Sequence, residues 1–132
     1  MSQENVEIVR SIYEAFNRRD SDAAFATCVR DFELTTPPGI NAGTYRGGEE
    51  CQGYLEDLIS AFEEWTSQPE ELIESGDQVA VVVRTRARPK ISSTEIENRT
   101  GQLWTIRDGM VVSMRMFPKP DQALEAAGLL AE

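Results

Sequence analysis

The sequence predicts an α+β domain, with helices in the first half of the chain and antiparallel strands in the second. Hydrophobic residues repeat with helical spacing up to about residue 65 and then change to the alternation that is typical of strands. Short turn sequences such as Asp108-Gly109, which join antiparallel neighbours, separate the later segments. The resulting order of elements, ααβαββββα, favours one sheet with helices on one face.

The first half of the chain is expected to form three helices. Apolar residues fall on one stripe at helical spacing over residues 3–18. A second, short helix over residues 21–29 can be capped by Asp20 or Ser21. The clearest helix covers residues 47–65, where a broad apolar stripe lies opposite a row of acidic residues.

Strands and turns account for the rest of the sequence. A short strand over Phe32 to Thr36 is stopped by Pro37-Pro38, and a loop rich in Gly and Pro runs from Pro37 to Gly48. After the long helix we expect a short strand over Pro69 to Glu74, strands over Gln78 to Pro89, Glu95 to Arg107 and Met110 to Phe117, and a last helix from Lys119-Pro120-Asp121 to Gly128. Because short turns separate the last three strands, they should pair as antiparallel neighbours.

Length and composition indicate one domain that spans residues 1–132. The chain has 40% hydrophobic and 27% charged residues, and a chain of this length can bury one core. No apolar run reaches the roughly 18 residues of a membrane span, and the first residues do not form a signal peptide. We therefore expect a cytoplasmic protein without membrane contacts. The net charge of −10 opposes the phosphate backbone and disfavours binding to nucleic acid.

The chain contains no histidine. This absence excludes Ser-His-Asp and Cys-His nucleophilic sites, histidine general bases and histidine-ligated metals. The two cysteines, Cys28 and Cys51, form no Cys-x-x-Cys pair and lie in apolar helical patterns, which favours buried free thiols over reactive ones. We expect no metal and no cofactor, so any chemistry would come from carboxylates, amides, Tyr, Arg or Lys.

Five short motifs occur in a characteristic order along the chain. They are Asn17-Arg18-Arg19-Asp20 after the first helix, the strand before Pro37, Tyr45-Arg46-Gly47, Arg107-Asp108-Gly109-Met110-Val111-Val112, and Asp121-Gln122-Ala123-Leu124-Glu125-Ala126-Ala127-Gly128-Leu129. Together they resemble the SnoaL-like domain family of the NTF2-like (ketosteroid isomerase-like) superfamily, over nearly the whole chain. The resemblance implies a cone-shaped α+β fold, in which a curved, antiparallel or mixed sheet, the N-terminal helices and one long helix enclose a pocket. It also implies a homodimer formed through the outer face of the sheet.

The same resemblance locates the positions at which isomerases of this superfamily carry their catalytic groups. The carboxylate base corresponds to Thr36, whose hydroxyl is too weak a base, and the protonated acid corresponds to Gln102, which can still donate a hydrogen bond. The catalytic tyrosine falls at or beside Ile12, and the adjacent Tyr13 could serve only if the alignment shifts by one position. The isomerase acids are therefore absent, unless a shifted alignment makes Asp31 the base. Epoxide hydrolases of this fold use acidic residues on neighbouring strands, which the matching strands of this chain lack. Dehydratases of this fold use a histidine, and the chain contains none.

The pocket implied by the resemblance would be mostly apolar. Alternation groups Asn98, Thr100, Gln102, Trp104 and Ile106 on one face of strand 95–107, and the last strand would turn Val112, Met114 and Met116 inward. Arg84 could anchor a ligand carboxylate or enolate if its face of strand 78–89 points inward, or pair with acids if that face points outward. The candidate ligand-binding residues are Tyr13, Thr36, Tyr54, Leu58, Phe62, Arg84, Asn98, Gln102, Trp104 and Met114. The alternative is that these side chains only fill the core.

These observations favour a domain that binds a small organic molecule, of unknown identity, in a mostly apolar pocket. Two alternatives stay open, and with them the question of whether the chain is an enzyme. One is an isomerase or polyketide cyclase-type enzyme acting on a carbonyl compound, and a carboxylate inside the cavity would favour it. The other is a non-catalytic dimeric interaction module, and a filled core with an apolar outer sheet face would favour that.

Overall fold

A computed structural model describes residues 2–37 and 42–129 of the chain. The helices and strands of these residues are α1 Ser2–Asn17, α2 Ser21–Phe25, β1 Cys28–Thr35, β2 Thr44–Arg46, α3 Gly47–Ser60, β3 Phe62–Ser75, β4 Gln78–Pro89, β5 Ile96–Arg107, β6 Met110–Phe117 and α4 Pro120–Ala126. They form the α+β fold that the sequence predicts. No helix within the described ranges is both long enough and apolar enough to cross a membrane.

The six strands form one curved, open sheet in the order β2-β1-β6-β5-β4-β3. Strands β3 to β6 pair antiparallel with their neighbours, as the short turns between the last three of them predict. β1 runs parallel to β6 and antiparallel to β2, so the sheet is mixed. Leu34 of β1 lies opposite Met114 of β6, which brings two distant parts of the chain side by side.

Helices lie on both faces of the sheet, and the expectation that they share one face is wrong. The inner face is the one on which Val9 of α1 and Cys51 of α3 pack against the strands. α4 lies on the opposite, outer face, where Leu124 packs against Ala80 and Leu103. Helical spacing reveals that α4 has an apolar side but not which face of the sheet that side covers.

α2 is shorter and β1 is longer than predicted. Asp20 caps α2, as expected, because its Oδ1 accepts a hydrogen bond from the backbone N–H of Ala23 at 3.1 Å. The helix ends after five residues, and Cys28 already belongs to β1, where it pairs with Val111 of β6. Over so short an apolar segment, helical and strand periodicities cannot be told apart.

α3 also ends earlier than predicted, at Ser60 instead of five residues later. Phe62 and Trp65 begin β3, which replaces the short strand predicted over residues 69–74. The pairing of β3 with β4 shifts register between Phe62 and Glu64, which indicates a bulge. The bulge explains the error, because it lets side chains three positions apart face the same side of a strand, as they do on a helix.

The loop before α3 differs from its prediction, whereas the end of α4 agrees with its prediction. The loop expected from Pro37 to Gly48 contains β2, whose Tyr45 pairs with Leu34 of β1, while residues 38–41 of that loop lie outside the described residues. The end of α4 is confirmed, because Gly128 adopts a φ of 76° there. A positive φ is the conformation that glycine tolerates best, and it stops the helix.

A bulge in β6 changes which of its residues face inward. The register between β5 and β6 shifts after Thr105, so that Ile106 pairs with Val111 and Val112 is the extra residue. Val111 is fully buried, whereas Val112 is partly exposed, so the expected inward position of Val112 is wrong. Met114 follows the bulge and faces inward as expected.

Candidate functional site

A cavity of about 390 Å³ lies between the inner face of the sheet and helices α1 and α3. Its wall is mainly apolar, because the inward residues of the strands and the apolar stripes of the helices meet there. Nine of the ten aromatic side chains of the protein contribute to it. These are Tyr13, Phe16, Phe25, Phe32, Tyr54, Phe62, Trp65, Trp104 and Phe117.

Few polar side chains interrupt this wall. They are Ser67, Thr85, Asn98, Thr100 and Gln102, together with the phenols of Tyr13 and Tyr54 and the thiols of Cys28 and Cys51. None of the described residues that line the cavity carries a carboxylate, an ammonium or a guanidinium group. The described wall therefore offers a bound molecule hydroxyls, amides and thiols, but no charge.

Three side chains on the wall form a set of linked hydrogen bonds, here called the Trp104–Tyr13–Gln102 series. Trp104 Nε1 donates to Tyr13 Oη at 3.2 Å, and Tyr13 Oη donates to Gln102 Oε1. The rings of Trp104 and Tyr13 also meet edge to face, with their centroids 5.8 Å apart. Since Tyr13 lies on α1 and the other two residues lie on β5, the series fastens the first helix to the middle of the sheet.

The two tyrosines of the wall keep their protons at neutral pH. Burial raises the pKa of the Tyr13 hydroxyl far above its ordinary value, and the hydrogen bond from Trp104 opposes this effect only in part. Burial also raises the pKa of the Tyr54 hydroxyl on α3, and the nearby Tyr45 raises it to a smaller extent. Neither phenol can therefore supply a phenolate base at physiological pH.

Both cysteines are free, as predicted, and both contribute to the cavity wall. Burial and, to a smaller extent, the nearby Cys51 raise the pKa of the Cys28 thiol to about 12. Burial and the carboxylate of Glu50 raise the pKa of the Cys51 thiol to about 11. Because the thiolate is the reactive form, these thiols are weak nucleophiles at neutral pH.

The end of α1 is fastened to the strand that carries part of the wall. Asn17 Nδ2 donates to the carbonyl oxygen of Ser67 at 2.8 Å, and Asn17 Oδ1 accepts from the backbone N–H of Ser67 at 3.0 Å. Arg19, whose φ is 62°, donates to the carbonyl oxygens of Phe16 at 3.0 Å and Trp65 at 2.6 Å. The sequence predicted the capping role of Asp20 in this motif but no role for Asn17 or Arg19, because Ser67 and Trp65 lie on β3, far along the chain.

Eight of the ten residues predicted to bind a ligand line the cavity. They are Tyr13, Tyr54, Leu58, Phe62, Asn98, Gln102, Trp104 and Met114. Thr36 is buried but is not among the described residues of the wall. Its Oγ1 accepts from the backbone N–H of Gly43 at 2.9 Å and donates to the carbonyl oxygen of Gly43, which ties the hydroxyl to the backbone next to β2. Asp31 is exposed on β1 and does not reach the cavity.

Arg84 points away from the cavity, which is the second of the two arrangements that the sequence left open, and the described cavity wall does not include it. Its guanidinium forms an ion pair with Glu97 of β5, and its side chain is 43% exposed. Arg86 and Arg88 lie on the same outer face and pair with neighbouring glutamates at 3.1 Å. The alternation of β4 explains the arrangement, because the valines that alternate with these residues enter the core, and the charges remain in solvent with partners.

The sequence analysis missed several wall residues. Thr85 and Ala87 alternate with the arginines of β4, so their position follows once the arginines are known to face outward. Cys28 was assigned to a helix, and the boundary between α2 and β1 carried no signal that would have corrected the assignment. Trp65 was assigned to α3 because the bulge near Phe62 gives the apolar residues at the start of β3 a helical spacing.

A family model described as a SnoaL-like domain matches residues 9–114, which is more than three quarters of the chain. None of the curated proteins is significantly similar to the chain. Among solved structures, an NTF2-like protein from Burkholderia pseudomallei is 25% identical and superposes with a TM-score of 0.81, and the match covers 92% of this chain and 95% of that one.

Two other solved structures share the fold over nearly their whole length. An NTF2-like protein from Burkholderia xenovorans is 29% identical, with a TM-score of 0.76 and coverage of 96% of this chain and 97% of that one. TerC, which was co-crystallised with polyporic acid, is 23% identical, with a TM-score of 0.81 and coverage of 95% and 98%. The family match and the shared architecture show that the chain belongs to the SnoaL-like domain family and has the NTF2-like, ketosteroid isomerase-like fold.

Proposed function

We propose that the chain binds a small, neutral and mostly apolar organic molecule in the cavity between the sheet and helices α1 and α3. The composition of the wall carries the proposal. Aromatic and aliphatic side chains surround about 390 Å³, and the polar groups of the described wall are uncharged. A volume of this size, lined by apolar groups with a few polar ones, is typical of sites for small organic ligands.

The uncharged wall restricts the kind of ligand that the cavity would accept. A carboxylate or phosphate taken out of water needs a positive partner, and burial without one is very unfavourable. The arginines of β4 cannot serve, because Arg84 and Arg86 lie on the outer face and are already paired with glutamates. A neutral ligand fits the wall, and its binding requires neither a metal nor a cofactor.

The two alternative functions receive less support from the cavity. An isomerase or polyketide cyclase would need a base beside its substrate, and the described wall carries no carboxylate. An interaction module with a vestigial cavity would favour a filled core, whereas the core here encloses a cavity of about 390 Å³.

The homodimer implied by the family resemblance belongs to this proposal. On the outer face the arginines of β4 are flanked by glutamates, such as Glu64 of β3 and Glu97 of β5. A surface with alternating rows of opposite charge can bind a two-fold-related copy of itself, and such binding weakens as salt screens the charges. Sedimentation velocity at low and high ionic strength would show a dimer that dissociates with salt. A monomer under both conditions would contradict this part of the proposal.

Binding of fluorene, a rigid apolar molecule of three fused rings, tests the proposed cavity. Thr85→Trp fills the cavity from β4, whereas Thr66→Trp adds the same side chain on exposed surface of the neighbouring strand. In equilibrium dialysis we expect the wild type and Thr66→Trp to bind fluorene alike, and Thr85→Trp to bind at least about tenfold more weakly. Circular dichroism confirms that both variants fold. Equal binding by all three proteins, or binding by none, would overturn the proposal.

Native mass spectrometry of the purified wild-type protein gives a second, independent test. Conditions that preserve non-covalent complexes would retain a bound molecule, which denaturation then releases for identification. A neutral compound present in stoichiometric amount would support the proposal. A tightly bound carboxylate or phosphate compound would contradict it, because the described wall carries no cation to balance such a charge.

A further inference from the structure

We propose that Asn17 and Arg19 close the edge of the sheet at β3 and thereby keep two copies of the chain from pairing through this strand. The interaction surface is the outer edge of β3, and the partner that it excludes is a second copy of this chain. This role is separate from ligand binding and holds whether or not the cavity is occupied.

β3 lies at one end of the sheet and is long for an edge strand. It covers 14 residues, Phe62–Ser75, whereas β2 at the opposite end covers only three. Within the part of the chain that the structure describes, no further strand pairs with the outer side of β3. The outer backbone groups of such a strand are a template on which another chain can add as a strand. A long edge strand therefore needs a feature that prevents this addition.

The hydrogen bonds of Ser67 show which backbone groups of β3 point outward. In an antiparallel pair, residues that bond to the neighbouring strand alternate with residues whose N–H and C=O point away from it. Asn17 bonds both the N–H and the C=O of Ser67, so these two groups point away from β4. The register with β4 is regular from Trp65 to Pro69, and these two residues therefore also direct their backbone groups outward.

Each of these three outward positions is closed in a different way. The amide of Asn17 donates to the carbonyl oxygen of Ser67 at 2.8 Å and accepts from its N–H at 3.0 Å, as a residue of an added strand would. Arg19 donates to the carbonyl oxygen of Trp65 at 2.6 Å. Pro69 has no N–H to donate, and a bulge follows it. An incoming strand would have to displace both side chains before it could pair here.

The backbone at the end of α1 explains how one motif reaches two positions of the edge. α1 ends at Asn17, and Arg19 has a φ of 62°, so the chain leaves the helix at this point. The guanidinium also donates to the carbonyl oxygen of Phe16 at 3.0 Å and lies over the Phe16 ring, 5.4 Å from its centroid. These contacts hold the arginine side chain against the edge.

Sedimentation velocity of the variant that carries both Asn17→Ala and Arg19→Gly tests the proposal. The variant opens two of the outward positions, and glycine accepts the positive φ of Arg19. In the same buffer it should form species larger than those of the wild type, in a share that rises with protein concentration. Any dimer formed through the outer face of the sheet is common to both proteins.

Two control variants separate an open edge from a lost charge and from a general loss of stability. Arg18→Ala removes a guanidinium that pairs with Asp20 instead of β3. Val111→Ala removes buried methyl groups from β6, three strands away from β3, and weakens the core. Both should sediment like the wild type. If either control forms the same larger species as the double variant, the open edge is not their cause and the proposal is overturned.

Hydrogen exchange at the Ser67 amide gives a second readout. In the wild type this N–H is bonded to Asn17 and should exchange slowly at every protein concentration. In the double variant at low concentration it should exchange at least about tenfold faster. At high concentration its exchange should slow again, because a second copy would bond to it. Fast exchange at every concentration, without larger species, would overturn the proposal.

Asn17→Ala alone replaces the double variant if circular dichroism shows that the latter does not fold. It opens Ser67, the middle one of the three outward positions, and keeps the contacts of Arg19 at the end of α1. We expect the same association with concentration, in a smaller share. A folded Asn17→Ala variant that sediments like the wild type at every concentration would show that the motif does not keep the edge closed.

Discussion

Gly101 of β5 and Ala123 of α4 are in such close contact that no side chain fits between them. A Cβ atom added to Gly101 would lie 2.8 Å from the Cβ atom of Ala123 and 3.0 Å from the carbonyl oxygen of Lys119. One of these atoms is backbone and the other is a fully buried methyl group, so neither can move aside alone. The glycine therefore sets how closely α4 packs on the outer face of the sheet.

Gly101→Ala is expected to destabilise the protein by about 1–3 kcal/mol, because the added methyl group must displace α4 from the sheet. Urea denaturation followed by circular dichroism measures the effect. Gly53→Ala is the matched control, since Gly53 lies inside α3 and an added Cβ there meets nothing within 4 Å. That variant should be more stable by about 0.5–1 kcal/mol, from helix propensity alone. An unchanged stability of Gly101→Ala would contradict the contact.

Tyr13→Phe should lower the free energy of unfolding by about 1–3 kcal/mol. The substitution leaves the buried Trp104 Nε1 without its acceptor and Gln102 Oε1 without its donor. Tyr54→Phe removes a hydroxyl from another wall residue that is only partly buried, and we expect a change within about 0.5 kcal/mol. Equal losses in the two variants would show that the Trp104–Tyr13–Gln102 series does not stabilise the fold.

Arg84→Met should leave fluorene binding unchanged and should alter the free energy of unfolding by less than about 1 kcal/mol. The reason is that the guanidinium lies on the outer face and pairs with an exposed Glu97. Its neighbour Thr85 lies on the cavity side of the same strand, so substitutions at these adjacent positions test opposite faces. Weakened fluorene binding by Arg84→Met would place the arginine inside the cavity and contradict the structure.

Alkaline pH should destabilise the protein through its two thiols. Unfolded cysteines ionise near their ordinary pKa of 9.0, whereas in the folded protein burial raises the pKa of Cys28 to about 12 and that of Cys51 to about 11. Between about pH 9 and 10 the unfolded chain therefore loses protons that the folded chain keeps, and stability falls as pH rises. The slope cannot exceed about 1.4 kcal/mol per pH unit for each thiol, the limit set by the release of one proton.

The variant that carries both Cys28→Ala and Cys51→Ala provides the comparison for this pH effect. Its free energy of unfolding should change less steeply between pH 9 and 10 than that of the wild type, whatever its absolute stability. Urea denaturation at several pH values measures both slopes. Identical slopes would show that the thiols are not protected from ionisation in the folded state.

The sequence predicted most of the fold, because periodicity over long segments is a strong signal. The strands from Gln78 to Pro89 and from Met110 to Phe117 are confirmed to the residue. The errors lie where a strand is bulged or very short. The bulge near Phe62 imitates helical spacing, and β2 has only three residues, Thr44–Arg46, inside a sequence rich in glycine. Short-range patterns contain no information about which distant strand a segment will pair with.

The candidate site could be predicted only in part for a related reason. Alternation along β5 placed Asn98, Gln102 and Trp104 on one face, and all three line the cavity. The same rule could not decide which face of β4 points inward, since both faces carry plausible residues. Nor could it predict that Tyr13 bonds to Gln102, because the two residues are 89 positions apart and meet only when α1 docks on the sheet.

The parallel pairing of β1 with β6 has a consequence for the order in which the protein assembles. Leu34 must find Met114, 80 positions later in the chain, whereas β3 to β6 connect to their neighbours through short turns. Closing so long a loop is entropically unfavourable and slow, so we expect the antiparallel strands to form first. During synthesis, β1 would then lack its neighbour in the middle of the sheet until β6 has left the ribosome, and the apolar side chains of β1 would stay open to chaperones until that moment.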